Sequence, residues 1–287
     1  MSIGLGIDSF AYHRWFGETT PWEKPLATRW TTDDFLDRAA SVGVGAVSLQ
    51  TIYVPELETA EGRRWLTDRF ASSCVVPYLA WGHPDGLRGG TDPARFEALR
   101  HLLPVARDIG CHTLRLVCGN QFTRAIALEI RVENLVPQLQ VLTGEAQALG
   151  LTLAIENHAD LAMADLVSLV RKVDAPNLGI CFDTGNAVRV GDDLAVALAL
   201  AAPLIRMVHL KDMIVQPASR GDPTAWWPSV PIGRGEFDIR GFIATLRGAN
   251  YNGALFVEMA NMHPDFPDED AAVADSLAYL RTLLACP

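Results

Sequence analysis

Basic residues are scarce: 24 Lys and Arg stand against 34 Asp and Glu in 287 residues, a formal net charge of −10 with a pI near 5.1. Nucleic-acid affinity depends on Lys and Arg neutralising phosphates, so no nucleic-acid partner is expected and a small neutral substrate fits better. Cysteine is sparse as well. Cys74, Cys111, Cys118, Cys181 and Cys286 are odd in number and scattered, without a CxxC pair or zinc-finger spacing, which points to reduced thiols rather than a disulfide framework. No apolar run approaches the roughly 18 residues of a membrane span. The first strand-like run begins at Ile3 and leaves no room for a signal or transit peptide, so a soluble, cytoplasmic protein is expected. A linker or low-complexity stretch is also missing, and residues 1–287 are read as one domain.

What is present is a rhythm. With a period of about 30 residues, an apolar or β-branched run is followed by a longer amphipathic one. Strands are expected at Ile3 to Ser9, Ala46 to Gln50, Val75 to Trp81, Thr113 to Cys118, Leu151 to Glu156, Gly179 to Asp183, Ile205 to Leu210 and Ala254 to Met259. Helix starts are signalled by Thr31 to Asp34, by Thr91-Asp92-Pro93 and by Asp192-Asp193; Gly43, Gly110, Gly150 and Gly248 signal stops. Strict alternation of apolar strands with helices implies a parallel sheet covered by helices, and eight units close into a (β/α)8 TIM barrel, an α/β fold. A doubly wound open sheet would need a Gly-rich phosphate turn. Gly4-Leu5-Gly6 lies inside a strand and lacks the third glycine of that motif.

Four of the runs, LTLAIE, LGICFD, IRMVH and ALFVE, stop at Glu156, Asp183, His209 and Glu258. In such a barrel these strand ends share one face, where three carboxylates and one imidazole make a site for a hard-to-borderline divalent cation. Alternation places Thr152, Ala154 and Glu156 on one side of their strand and Leu153 and Ile155 on the other, and puts Ala254, Phe256 and Glu258 in register. Substrate oxygens held by the cation would favour loss of a proton beside a carbonyl, giving epimerisation if two carboxylates work on opposite faces and isomerisation if one face is used.

The segments LAIENH, ICFDTGN, VHLKD, PIGRGE and FVE resemble the xylose-isomerase-like barrel superfamily, in particular the sugar phosphate isomerase/epimerase group with its ketose 3-epimerases and hydroxypyruvate isomerases. The resemblance spans Leu151 to Glu258 by motif and the preceding half by rhythm. It implies that Glu156, Asp183, His209 and Glu258 hold one Mn2+, with Mg2+ or Co2+ as alternatives, that the reaction passes through a metal-stabilised enediolate, and that Glu156 and Glu258 shuttle protons. It also implies a small carbohydrate substrate, and a homo-oligomer is compatible with it.

Two departures qualify the likeness. The Asp-x-x-His of the epimerases reads Asp183-Thr184-Gly185-Asn186, and their arginine before the Pro-Gly-x-Gly turn is replaced by a stretch containing Trp226 and Trp227. Arg234 either substitutes for it or points to solvent. His158, two residues beyond Glu156, is a candidate additional base, with helix capping near Asp160 as its ordinary role. An extra base suits a lyase, such as a sugar dehydratase or an enzyme that cleaves 3-keto-glycosides, including C-glycosides; this is the alternative function. Asn186, Lys211, Arg115 and Trp226 are candidate substrate contacts, with Gln50 and Asp212 beside them; Trp81 is a candidate for the core. A DNA-repair endonuclease would need more histidines and a basic surface. A Glu156→Gln change should stop turnover while leaving the melting temperature of the metal-free protein nearly unchanged.

Overall fold

The computed structural model describes residues 3–20, 23–216 and 227–285. Eight parallel strands close into a barrel: β1 (Gly4–Asp8), β2 (Ala46–Gln50), β3 (Val76–Trp81), β4 (Thr113–Val117), β5 (Thr152–Glu156), β6 (Leu178–Asp183), β7 (Ile205–Leu210) and β10 (Ala254–Val257). Each pairs with its neighbour in sequence, and β10 returns to β1 with Gly4 opposite Ala254 and Ile7 opposite Val257. Between β7 and β10, β8 (Asp212–Met213) and β9 (Ser229–Val230) form an antiparallel ribbon beside the mouth. The expected strands match these to within two residues at each end, and β2 and β7 coincide with them.

Around the barrel run α1 (His13–Phe16), α2 (Thr32–Ser41), α3 (Ala60–Ser73), α4 (Pro93–Asp108), α5 (Leu128–Ala148), α6 (Met163–Val173), α7 (Thr184–Arg189), α8 (Leu194–Ala201), α9 (Ile239–Gly248) and α10 (Glu269–Ala285). Their starts follow the sequence signals. Thr31 and Asp34 form a reciprocal capping box on α2, Asp92 accepts from two backbone N–H groups ahead of α4, and Asp193 caps α8; each such cap is worth about 1 kcal/mol. Gly43, Gly110 and Gly150 adopt positive φ, as expected past a helix end. Gly248 differs: it is the last residue of α9, and the left-handed residue is Asn250 at φ 58°.

The core has two layers because strand side chains alternate. Leu153, Ile155, Ile180, Phe182, Val208 and Leu255 face the helices and pack on residues such as Leu166 and Phe242. Ala154, Cys181, Met207, Ala254 and Phe256 face inward and fill the barrel. Gly6 belongs to this crowded interior: a Cβ there would come within 2.5 Å of the Phe256 ring. One step further along each inward row stand the polar residues of the mouth.

Candidate metal centre and active site

Glu156, Asp183 and His209 lie at the carboxyl ends of β5, β6 and β7, and Glu258 follows β10, its N–H donating to the Leu210 carbonyl at 3.1 Å. All four are buried, and one ligand atom from each lies within 4.8 Å of the others. Bonds of about 2.1 Å separate opposite ligands of one cation by about 4.2 Å, so the cluster is near the size one ion requires. Nδ1 and Nε2 of His209 and Oε2 of Glu258 are buried without a hydrogen-bond partner, although Nδ1 stands only 2.6 Å from that oxygen. Two electron-pair donors turned on one point, with two further carboxylates beside them, fit a divalent cation.

The residues behind the cluster fix its geometry. Asp8, which ends the GLGID run, accepts from the Phe10 N–H at 2.7 Å and from the Ser48 hydroxyl. Its Oδ2 lies 3.3 Å from His209 Nε2, so Nδ1 is the nitrogen that faces the cluster. Arg115, 2% exposed, donates from Nε to Glu156. Asn186 donates from Nδ2 to the other Glu156 oxygen at 3.0 Å, and its backbone N–H reaches Asp183 at 2.8 Å. Asn157 clasps the Asp183 backbone through its N–H at 2.7 Å and its carbonyl at 2.8 Å. Lys211 Nζ stands 2.6 Å from Asp183 and 2.9 Å from Glu258.

Burial works against charge throughout the cluster, and the partners decide the outcome. Burial would raise the Glu156 pKa, but Arg115, His209 and His158 hold it at about 2. For Glu258 the opposing cations, Lys211 foremost, likewise win and depress it. Asp183 is the exception: burial outweighs Lys211 and raises it. Burial pushes the Cys181 thiol, next to this group, up to about 11.

Above the cluster a pocket opens, and Gln50, Arg115, His158, Asn186 and Lys211 line it. His158 is not a helix cap. Its Nδ1 lies 3.1 Å from the Gly119 carbonyl, which assigns the proton to Nδ1 and leaves Nε2 a lone pair; burial lowers its pKa to about 4, so the ring is neutral at pH 7. Sequence reasoning missed three residues: Asp8, His83 and Arg189. His83 and Arg189 also line the pocket. Asp8 and His83 were signalled by the same feature as the four cluster residues, a polar residue where an apolar run stops.

Other candidates lie elsewhere. Trp226 falls outside the described residues. Trp227 is fully buried against Val188, Met213 and Val215 and is no pocket wall; Trp81 packs in the core as expected. Arg234 is exposed. Asp212 pairs with neither Lys211 nor a pocket: its carboxylate accepts from the N–H groups of Met213, Gly233, Gly235 and Phe237 and anchors that loop.

The model of the family described as Xylose isomerase-like TIM barrel matches residues 36–283. A 3-oxo-isoapionate decarboxylase of Pectobacterium atrosepticum is 26% identical over 198 residues, 67% of this chain and 70% of that protein. Across the curated relatives it matches, the chain spans 20% to 70% of their lengths. Among solved structures, D-psicose 3-epimerase from Clostridium cellulolyticum H10 with D-tagatose superposes with a TM-score of 0.77 at 16% identity, covering 99% of this chain and 100% of that one. IOLI protein with a binding zinc atom gives 0.77 at 16% identity over 99% and 98%. At these identities the structural likeness shows the fold.

Proposed function

The chain belongs to the xylose isomerase-like TIM barrel family, and from that membership we propose that it is a divalent-metal-dependent isomerase or epimerase of a small carbohydrate. One observation carries the reading: three buried carboxylates and one imidazole gather at adjacent strand ends beneath a pocket lined by Arg115, His158, Asn186 and Lys211. Glu156, Asp183, His209 and Glu258 would hold the cation, Mn2+ first, with Mg2+, Co2+ or the zinc named for a structural relative as alternatives. Such an ion supplies Lewis acidity, polarising a substrate carbonyl and easing loss of the neighbouring proton.

The chain's own side chains do the rest. Glu156 and Glu258 come from β5 and β10, which two strands separate around the barrel, so their carboxylates approach a bound carbon from different sides. One takes a proton and the other returns it. Arg115 and Asn186 orient Glu156 through its two oxygens. Lys211 and Asn186 supply donors for substrate hydroxyls.

A second reading, a carbon–oxygen or carbon–carbon lyase, draws on His158. A neutral imidazole with Nε2 unencumbered provides a base beyond the two glutamates, and one relative is named a decarboxylase. The deciding experiment is incubation of metal-loaded protein with ketohexoses and with 3-keto-glycosides in D2O. Deuterium appearing beside the carbonyl of an intact skeleton is expected; release of water, carbon dioxide or an aglycone would replace the isomerase with the lyase. No reaction with either set would leave the family alone standing.

A further inference from the structure

Lysine is rare in this chain: three of its 24 basic residues are lysines, Lys24, Lys172 and Lys211. Lys24 and Lys172 lie exposed. The Lys211 side chain is 11% exposed, and its ammonium touches two residues of the cluster at once, Asp183 Oδ2 at 2.6 Å and Glu258 Oε1 at 2.9 Å. The backbone beneath it is fixed by one hydroxyl: Thr184 donates to the Lys211 carbonyl at 2.8 Å and accepts from its N–H at 2.8 Å. The stem passes over Gly185, where a Cβ would come within 3.0 Å of the Lys211 Cδ, and the side chain borders the open pocket. Movement of the ammonium therefore needs rotation of the side chain alone.

The ammonium stands where a divalent cation would compete with it. Asp183 Oδ1 accepts from the Asn186 N–H and Oδ2 from Lys211, so any cation bound by Asp183 shares an oxygen already in use. Two positive charges on the same pair of buried carboxylates repel strongly, because water and salt screen them little there. With neither charge present, Asp183 and Glu258 would be buried without compensation, which is costly. Lysine suits an exchange of this kind: its charge is compact and rides on a flexible stem, without the planar fork that locks an arginine to its carboxylate. A monovalent ion would only replace one tethered charge by an equal free one. A divalent ion adds a charge, and so can win.

We propose that Lys211 is the resident counter-ion of the metal-free cluster, displaced from Asp183 and Glu258 when a divalent cation binds, and that the released ammonium then turns into the pocket as a donor to a substrate oxygen. The lysine thus stabilises the metal-free fold at the expense of metal affinity, and the donor becomes available only in the loaded site. This rests on the metal reading proposed above and adds to it how the site is regulated.

The test measures Mn2+ affinity, by competition with a chelating dye, and the melting temperature of metal-free protein for the wild type and Lys211→Met. The variant is expected to bind Mn2+ about tenfold or more tighter, while its metal-free form melts about 5 °C or more lower. An ion pair with a structural role alone would give the second effect without the first. A further measurement needs no variant: in wild-type protein, acetylation of Lys211 by acetic anhydride, read by mass spectrometry with Lys24 and Lys172 as internal references, should be faster with Mn2+ than with EDTA. Equal or weaker Mn2+ binding by Lys211→Met, or acetylation of Lys211 that Mn2+ leaves unchanged or slows, would overturn the displacement while leaving the metal site in place. Wild-type protein that binds no Mn2+ would instead remove the metal reading, and this inference with it.

Discussion

At the scale of single residues, Glu156 shows how a partner alters the consequence of a substitution. From the sequence, Glu156→Gln should cost activity alone; in the fold it also strips a buried guanidinium of its counter-charge. Loss of turnover on the order of 10^3-fold is therefore expected together with a loss of about 3 kcal/mol in stability, measurable by urea denaturation of metal-free protein. An unchanged denaturation midpoint would show that Arg115 finds another partner. Asp8→Asn probes the opposite side of the cluster: with the imidazole less firmly oriented, metal affinity should fall about 10- to 100-fold by competition with a chelating dye. The His13–Glu23 pair gives a pH signature away from the metal. Burial opposes charge on His13, but Glu23 at 2.7 Å lifts its pKa above the ordinary 6.5. His13 overcomes the same penalty on Glu23, holding that pKa at about 2 against an ordinary 4.5. The imidazole's contribution is full below 6.5 and fades as pH rises through its raised value; the carboxylate's is full above 4.5 and fades as pH falls toward 2. The melting-temperature gap between the wild type and Glu23→Gln should consequently peak near pH 5 to 6 and shrink at both pH 9 and pH 3. A gap that is flat with pH would remove the ion pair from the stability of the mouth.

At the scale of elements, the strands were legible because parallel strands covered on both faces need continuous apolar runs, and their ends could be read where a polar side chain interrupts the run. LGICFD and IRMVH give β6 and β7 within one residue, and with them Asp183 and His209. The same rule, applied to GLGID, would have marked Asp8; being neither at the end of the motif-bearing half nor beside a second ligand type, it did not stand out. Arg189 was illegible for a different reason: α7 has six residues, too few for a periodic pattern, so which side of it faces the pocket is decided by packing rather than by local sequence. The turn after β9 depends likewise on tertiary hydrogen bonds. Asp212 collects three backbone donors there besides the Met213 N–H, and a Cβ at Gly235 would lie 2.0 Å from its Oδ1. Asp212→Ala should leave those N–H groups unpaired, costing about 2 to 3 kcal/mol and accelerating hydrogen exchange at residues 233, 235 and 237. Exchange unchanged at those amides would mean the loop is held by its other contacts.

At the scale of the whole molecule, closure of the barrel places the proposed metal cluster where eight strands end together, so its proposed ligands come from parts of the chain as far apart as Glu156 and Glu258. A group that ties β5, β6, β7 and β10 in the folded state and finds no such arrangement in the unfolded chain must stabilise the entire fold by mass action. At a free cation concentration 100 times its Kd, the stabilisation should be about 2.7 kcal/mol, observed as a rise in melting temperature that grows with the logarithm of added Mn2+ and disappears with EDTA. Because His209 and Glu258 hold buried atoms without hydrogen bonds, the same cation also relieves a local cost, which makes the effect a property of these residues and not of ionic strength. His209→Gln should accordingly abolish the metal-dependent shift while Ca2+ or salt at equal ionic strength leaves the wild-type melting temperature nearly where it was. A rise that survives His209→Gln, or one that any salt reproduces, would move the cation to some other place on an acidic surface and with it the chemistry assigned to the barrel mouth.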